Sequence, residues 1–228
     1  MKILYVTGYS RMALFNKLFS RTLSEIGSEV IEFDWNSVYK IYKTIRIFSD
    51  KKIKKRVDEL LIKKAKFVKP NFVFVLKGEP IYPETIGRLK EITGAELFNR
   101  FGDDPWEFPS FSSKTAKYYD YFFTYDSYSV KLYKAAGYEN ADYLPYGYDP
   151  EIVSNLKLSK RDEEKFGCDI SFIGSHYPKR EEFLSKIKNK YNLKIWGRGW
   201  KGTSCEDAYQ GNALYGTDTL KATKPLKN

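Results

Sequence analysis

Six short apolar runs alternate with helical patterns over the first two thirds of the chain. The third run, NFVFVL at residues 71–76, is typical of a strand buried on both faces of a parallel sheet. Parallel neighbours need crossover connections, and the intervening helical patterns supply them. The sequence therefore predicts an α/β domain with an open parallel sheet over residues 1–150. The six predicted strands lie at residues 3–7, 29–35, 71–76, 96–98, 121–124 and 142–145.

A second α/β unit is predicted after this domain. Residues 151–165 are polar with mixed charge, and we interpret them as a linker. CDISFIGSHYPKR at 168–180 then has the pattern of a strand, a glycine turn and a helix start, and KIWGRGW at 194–200 adds the next strand and turn. Because residues 166–228 are too few for a complete doubly wound domain, we expect two Rossmann-like domains, the second of them incomplete.

The turn within CDISFIGSHYPKR has the composition of a diphosphate-binding loop. A strand, a tight turn and a helix N-terminus present backbone N–H groups and the positive end of a helix dipole. Gly174 and Ser175 would let the backbone approach phosphate oxygens, and Arg180 could contact them with two hydrogen bonds. His176, the single histidine, is either a further phosphate contact or a bystander. Gly197, after the next predicted strand, is a further candidate for binding the donor at this loop, with a tight turn as the structural alternative.

The segment FGDDPW at residues 101–106 supplies the candidate catalytic carboxylates. Asp103 and Asp104 follow a predicted strand, so they should project at the ligand-bearing edge of the sheet. A carboxylate partly buried beside Trp106 can have a raised pKa and act as a general base. The alternative is a turn held by Pro105, and both interpretations stay open. The pair offers too few ligands for a metal ion, so we expect no metal.

Other residues at the predicted carboxyl edge of the first sheet are Gly8, Tyr9 and Tyr146. Gly8 and Tyr9 follow the first strand without a GxGxxG or P-loop pattern, so steric need for glycine is the simpler explanation. Tyr146 lies in a stiff passage, LPYGYDP at 144–150, which suits the exit from the domain. A functional alternative is that all three border a ligand cleft.

Positive charge is concentrated at residues 40–69. The chain has a formal net charge of +10, and this segment holds twelve Lys or Arg against three acidic residues. Its apolar residues have approximate helical spacing, which predicts one or two basic amphipathic helices. The simplest interpretation is a solvated face on a core-packed helix; the alternative is a surface for an anionic membrane or acceptor. Nucleic acid is unlikely as a partner, because no stacking motif or zinc-finger spacing accompanies the charge.

Composition favours a cytoplasmic protein. No signal-peptide pattern or run of about 20 apolar residues is present. The only cysteines are Cys168 and Cys205, without a CxxC pattern, which fits a reducing compartment. Peripheral attachment to the inner face of the membrane is the alternative. Oligomeric state is left open.

Several segments, in their order along residues 70–200, resemble the CgeB-like glycosyltransferases associated with spore maturation. This resemblance implies the GT-B arrangement and transfer of a sugar from a nucleotide-sugar donor to an acceptor, without an obligatory metal or cofactor. It implies that the loop from Gly174 to Arg180 contacts the donor diphosphate and that FGDDPW lies on the acceptor side. The matching segments are FVFVLKGEPIYPETI, FGDDPW, YYDYFFTYD with SVKLYKAAG, YLPYGYDP, CDISFIGSHYPKRE and KIWGRGW.

The sequence departs from the family pattern after Trp200. Family members continue into a helix with an acidic residue, in an Arg-x-Phe-Glu context, that contacts the donor ribose, and this chain has no such motif. We therefore expect a C-terminally truncated glycosyltransferase, and whether these 228 residues are active by themselves is left open. The alternative function is a non-enzymatic binding module that reaches anionic partners through residues 40–69. A Rossmann oxidoreductase is disfavoured, because the first strand lacks the dinucleotide fingerprint.

Overall fold

The computed structural model describes residues 1–8, 13–45 and 48–224. Within this part of the chain, the fold divides into two compact units. Unit 1 contains residues 1–8, 16–45 and 48–148, and unit 2 contains residues 13–15 and 149–224. The division therefore falls after Tyr148, close to the predicted end of the first domain at residue 150.

Unit 1 is built on a six-stranded sheet in which every strand is parallel to its neighbours. The strand order is β2-β1-β3-β4-β5-β6, so the chain steps from β1 outward to β2 and then crosses back to β3. The predicted open parallel α/β sheet is confirmed. The strands are β1 (Lys2–Thr7), β2 (Glu29–Asp34), β3 (Phe72–Leu76), β4 (Glu96–Phe101), β5 (Tyr121–Thr124) and β6 (Ala141–Tyr143).

The helices of unit 1 are the crossover connections of this sheet. Glycine ends two of them as the sequence predicts, since Gly94 and Gly137 adopt positive φ angles of 65° and 87°. A π-helical turn, Phe108–Ser112, leads into the short fifth helix. The helices are α1 (Ala13–Glu25), whose first residues belong to unit 2, α2 (Trp35–Thr44), α3 (Asp50–Val68), α4 (Pro83–Thr93), α5 (Ser113–Ala116) and α6 (Ser127–Ala135).

The basic segment at residues 40–69 contains the end of α2 and all of α3. One face of α3 is buried against the sheet through Ile53, Val57 and Leu61. Most lysines of α3 lie on the opposite, exposed face, including Lys52 and Lys63. The helix is therefore held by apolar burial, which contributes roughly 25 cal/mol per Å².

Unit 2 contains a three-stranded parallel sheet of order β7-β8-β9 and four short helices. Its core is smaller than that of unit 1 and centres on Leu184, Ile195 and Trp200. The segment interpreted as a linker, residues 151–165, holds α7 and most of α8. The elements are α7 (Pro150–Asn155), α8 (Lys160–Phe166), β7 (Ile170–Ile173), α9 (Pro178–Ile187), β8 (Leu193–Trp196), β9 (Tyr209–Gly211) and α10 (Thr217–Thr223).

Among the helices described here, none combines the length and the apolar composition needed to cross a membrane. Cys168 and the buried Cys205 are both free thiols.

Candidate functional site

The sheet of unit 1 has a topological switch point at β1. Its two neighbours are β2 and β3, so the connections that leave β1 and β3 run to opposite sides. In open α/β sheets, ligands bind outside the carboxyl ends of the strands at such a point. The residues that follow these two strands, Gly8 and Lys77, therefore occupy the position at which a ligand site is expected in unit 1.

Gly8 is packed against an aromatic ring. A Cβ atom at this position would lie 2.2 Å from Trp35 Cε2, so no side chain fits without moving the indole. Trp35 is buried at the start of α2. Glycine is thus required sterically at the exit of β1. Tyr9, the next predicted acceptor-side residue, lies outside the described residues.

An ion-pair cluster lies at the carboxyl ends of β3 and β4. Lys77 Nζ contacts Glu79 Oε1 at 2.6 Å and also pairs with the carboxylate of Asp103. Burial lowers the pKa of Lys77, but the hydrogen bonds to Asp103 and Glu79 outweigh that effect and raise it overall. Lys77 therefore remains charged and holds two carboxylates from different loops. The sequence interpretation did not single out Lys77 and Glu79 as site residues, although they lie just after the predicted strand at residues 71–76.

The two candidate carboxylates of FGDDPW lie in different environments. Asp104 is 1% exposed and accepts hydrogen bonds from Ser112 Oγ at 2.6 Å and Tyr133 Oη at 2.7 Å. Burial raises its pKa, although these hydrogen bonds act in the opposite direction. Asp103 is half-exposed beside Lys77, and Trp106 is 86% exposed. The peptide bond between Asp104 and Pro105 is cis. The structure thus places Asp103 and Trp106 where a ligand can reach them, and Asp104 in the interior.

Tyr146 covers a buried arginine. The guanidinium carbon of Arg100 lies 4.1 Å from the centre of the Tyr146 ring, and Arg100 Nη2 donates to the carbonyl oxygen of Leu144 at 3.3 Å. Arg100 is itself 2% exposed at the end of β4. A Cβ atom on Gly102 would lie 2.6 Å from the Tyr146 hydroxyl oxygen, so glycine is needed there. Tyr146, predicted on the acceptor side, is half-exposed and fixed by these contacts.

The turn after β7 in unit 2 is joined closely to the turn after β8. The Gly174 amide donates to Trp196 O at 2.8 Å, and its carbonyl oxygen accepts from Trp200 Nε1 at 2.8 Å. A Cβ atom on Gly197 would lie 1.9 Å from Gly174 O, which is closer than any real contact. His176 N donates to Arg198 O at 2.8 Å. The two turns therefore act as one rigid element at the carboxyl edge of the second sheet.

Arg180 lies beside the N-terminus of α9. Its Nη1 donates to Ser175 O at 2.8 Å, and its guanidinium carbon lies 4.8 Å from the centre of the Tyr177 ring. Ser175 and Arg180 are both exposed. Tyr177 is the N-cap residue of α9 and makes no side-chain hydrogen bond there. Pro178 has no N–H group, and the amides of Arg180 and Glu181 donate to Tyr177 O.

His176 faces inward to a carboxylate of α9. Its Nε2 donates to Glu181 Oε2 at 2.6 Å, and its ring makes an edge contact with the buried Trp200 at 5.1 Å. Glu181 Oε1 accepts from the amide and the hydroxyl of Ser204, both at 2.8 Å. The Ser204 amide, together with His176 and the Ser204 hydroxyl, lowers the pKa of Glu181 to about 2. Glu181 thus links three segments of unit 2, a role that its first-turn position in a helix did not reveal.

The predicted absence of a metal site stays a prediction. In residues 1–8, 13–45 and 48–224, no three His, Cys, Asp or Glu side chains are grouped as ligands of one ion.

Solved structures of nucleotide-sugar enzymes superpose on the chain. UDP-GlcNAc 2-epimerase from Neisseria meningitidis, bound to UDP-GlcNAc, matches with a TM-score of 0.62 and 11% identity, over 97% of this chain and 75% of that one. The epimerase from Methanocaldococcus jannaschii matches with a TM-score of 0.61 and 9% identity, over 97% and 76%. The lipopolysaccharide outer core galactosyltransferase WaaB matches with a TM-score of 0.52 and 13% identity, over 93% and 68%. The fold is GT-B-like.

The fold class expected from the sequence is therefore confirmed: α/β and GT-B-like, with a Rossmann-like N-terminal domain on a six-stranded parallel sheet. At these identities the likeness concerns the fold alone. No protein-family model matches the chain, and no curated protein sequence is significantly similar to it. Membership of the CgeB-like family, the domain limits and the roles of the candidate site residues stay predictions.

Proposed function

We propose that this chain binds a nucleotide sugar and acts as a glycosyltransferase, with the donor diphosphate at the turn between β7 and α9. That turn carries the proposal. Gly197 packs so closely on the Gly174 carbonyl that no side chain fits between the two turns, and the N-terminus of α9 follows without a capping side chain. A diphosphate at this position would meet the positive end of the helix dipole.

Arg180 supplies the fixed positive charge that the turn needs. A helix N-terminus contributes about 0.3–1 kcal/mol to binding an anion, which is too little for a tight complex. Arg180 uses Nη1 to bond Ser175 O, which orients the guanidinium beside the turn while its other N–H donors remain for phosphate oxygens. Stacking on Tyr177 limits its rotamers further. His176 has a different role in this proposal, because its bond to Glu181 directs it toward the protein interior.

In unit 1, we propose that Asp103 accepts the acceptor proton and that Asp104 positions the loop. Asp103 is half-exposed, whereas both oxygens of Asp104 are engaged by buried hydroxyl groups. During transfer, the acceptor oxygen bonds to the anomeric carbon of the sugar, and the bond from that carbon to the diphosphate oxygen breaks. The nucleoside diphosphate leaves with the electron pair of that bond, and the acceptor proton passes to Asp103. Lys77 pairs with the Asp103 carboxylate and fixes its position after β4.

Calorimetric titration with UDP and UDP-GlcNAc tests donor binding. Arg180→Gln should weaken binding about tenfold, the equivalent of one charge-assisted contact. Lys179→Gln is the matched control, because Lys179 is an exposed cation on the same helix turn. Absence of binding by the parent protein to any nucleotide or nucleotide sugar would sink the proposal, as would equal losses in the two variants, which would indicate diffuse electrostatics.

Epimerisation of a nucleotide sugar is the second candidate, and the superposition on UDP-GlcNAc 2-epimerases favours it. Proton NMR of UDP-GlcNAc incubated with the protein distinguishes the two reactions. Inversion at C2 without an acceptor indicates epimerisation, whereas sugar transfer requires an added acceptor and releases UDP. Asp103→Asn should abolish transfer while leaving donor affinity unchanged, because the proposed role of this carboxylate is to take the acceptor proton and not to bind the diphosphate.

Recruitment to an anionic surface through residues 40–69 stays a prediction. Vesicle co-sedimentation tests it with charge reversal at Lys51, Lys52, Lys54 and Lys55, all on α3. Binding to anionic vesicles that these changes abolish would support recruitment. Failure of the parent protein to bind at low salt, where surface attraction is greatest, would remove it.

A further inference from the structure

A cavity of about 450 Å³ lies between α3 and α4 in unit 1. Its walls come from α3, from the first two turns of α4 and from Tyr82, which lies just ahead of α4. It is distinct from the ion-pair cluster of Lys77 and from the phosphate turn of unit 2, since no residue of either lines it. Its size falls within the range of small-molecule sites, roughly 300–1,000 Å³.

A buried carboxylate with one unused oxygen lines this cavity. Asp58 is 7% exposed, and its Oδ2 accepts from Thr85 Oγ1 at 2.7 Å and from the Tyr82 amide at 3.3 Å. Its Oδ1 is also buried, yet no donor among the described residues lies within hydrogen-bonding distance. Buried polar atoms are nearly always hydrogen-bonded, and Asp58 lines the cavity, so a donor group of a ligand could satisfy this oxygen. Burial raises the pKa of Asp58 to about 6.

Three cations surround the same cavity. Lys51 and Lys55 come from α3, and Arg88 comes from α4. Across the part of the chain that the structure describes, none of the three has a hydrogen-bond or ion-pair partner. The other acidic residue of the wall, Glu59, is already paired with Arg56 at 3.0 Å. The cavity therefore has excess positive charge, and Asp58 Oδ1 is an acceptor in its wall that no described donor satisfies.

We propose that this cavity binds a small phosphorylated sugar or polyol. A hydroxyl group of the ligand donates to Asp58 Oδ1, and its phosphate contacts Arg88, Lys55 and Lys51. Arginine and lysine together suit a phosphate, because one offers a planar fork and the other a mobile point charge. Ile62 and the half-exposed ring of Tyr82 provide the apolar walls against which the carbon chain of such a ligand packs. The ligand needs both groups, since an anion alone leaves Asp58 Oδ1 unsatisfied and an uncharged sugar leaves the cations unused.

Calorimetric titration with three probes tests the proposal on the full chain. Glucose 6-phosphate carries both groups, inorganic phosphate carries only the anion, and glucose carries only the hydroxyls. We expect glucose 6-phosphate to bind more tightly than phosphate, and glucose not to bind at millimolar concentration. Arg88→Gln and Lys55→Gln should each weaken glucose 6-phosphate about tenfold, as expected for loss of one charged contact.

Asp58→Asn separates the two halves of the site. This variant should bind glucose 6-phosphate no better than phosphate, because the amide cannot both keep Thr85 and accept the ligand hydroxyl. The matched control is Lys63→Gln, an exposed α3 residue away from the cavity, which should leave affinity unchanged. If Asp58→Asn fails to fold, the affinities of Arg88→Gln and Lys63→Gln for glucose 6-phosphate still test the proposal.

Three results would overturn the proposal. The first is a parent protein that binds glucose 6-phosphate no more tightly than phosphate, which would leave only an anion-binding surface. The second is an equal loss in Lys63→Gln and Lys55→Gln, which would indicate general electrostatic attraction. The third is loss of all binding in Arg180→Gln, which would place the probe at the phosphate turn of unit 2.

Discussion

Substitution of Gly197 by alanine should loosen unit 2 by separating its two turns. The new Cβ would lie 1.9 Å from the oxygen and 2.5 Å from the carbon of Gly174, so backbone rather than a side chain has to move. Three hydrogen bonds cross this contact, all at 2.8 Å: Gly174 N to Trp196 O, Trp200 Nε1 to Gly174 O, and His176 N to Arg198 O. At about 1 kcal/mol each, their loss lowers the free energy of local opening by about 3 kcal/mol.

Hydrogen–deuterium exchange of the intact protein measures this effect segment by segment. A change of about 3 kcal/mol corresponds to roughly 100-fold faster exchange in β7 and β8, with the strands of unit 1 unaffected. Gly147→Ala is the control, because its Cβ meets no atom within 4 Å, and exchange should not change. Exchange in β7 and β8 of Gly197→Ala within about threefold of the parent would refute the reasoning, since the turns would then accommodate a side chain cheaply.

Three further predictions concern buried or ion-paired carboxylates. The folded-state pKa of Asp58, about 6, lies above the ordinary 3.8, so proton binding by Asp58 stabilises the fold fully below pH 4, and this stabilisation is lost as pH rises through 6. In urea unfolding, the free energy of unfolding of the parent should therefore fall relative to that of Asp58→Asn by at most about 3 kcal/mol between pH 4 and 7. Asp104→Ala leaves two buried hydroxyl groups without their acceptor and should cost about 2–4 kcal/mol in the same assay, against about 1 kcal/mol or less for Asp103→Ala. The pKa of Glu181 is lowered to about 2, so its ionised carboxylate stabilises the fold above pH 4.5, and this stabilisation is lost as pH falls toward 2. The loss of unfolding free energy in Glu181→Gln should therefore be smaller at pH 3 than at pH 7. An equal loss at both pH values would mean that the hydrogen bond from Ser204 does not depend on the charge of Glu181.

The sheet of unit 1 could be predicted because its strands are marked by local signals. Continuous apolar runs such as residues 71–76 are typical of strands buried on both faces of a parallel sheet, and glycines with positive φ follow the helices at Gly94 and Gly137. These signals depend only on neighbours in sequence. The third strand of unit 2, Tyr209–Gly211, has three residues, mixed polarity and an irregular register, and it was not predicted as a strand.

The candidate site was less predictable, because burial in loops depends on distant partners. Asp103 and Asp104 are chemically identical neighbours, and only the positions of Lys77, Ser112 and Tyr133 separate an exposed carboxylate from an enclosed one. No periodicity operates in such a loop.

The position of Asp58 in the helical pattern of α3 already indicates its burial, although a count of charged residues does not show this. It lies one helical turn before Ile62 and next to Val57, on the apolar side of α3, whereas the sequence interpretation grouped it with the solvated charges. A carboxylate that interrupts an apolar stripe is expensive to bury, so its position alone indicates a specific partner or a ligand.

The packing of Tyr146 on Arg100 determines where the coding sequence can be divided. β6 ends at Tyr143, and a gene fragment that stops there would encode the complete sheet but not the aromatic cover of the Arg100 guanidinium. The carbonyl oxygen of Leu144, the acceptor of that arginine, would also be lost. A recombinant first half should therefore run through Tyr148, and chimaeras that exchange the second half for that of another GT-B-like protein should be joined after this residue.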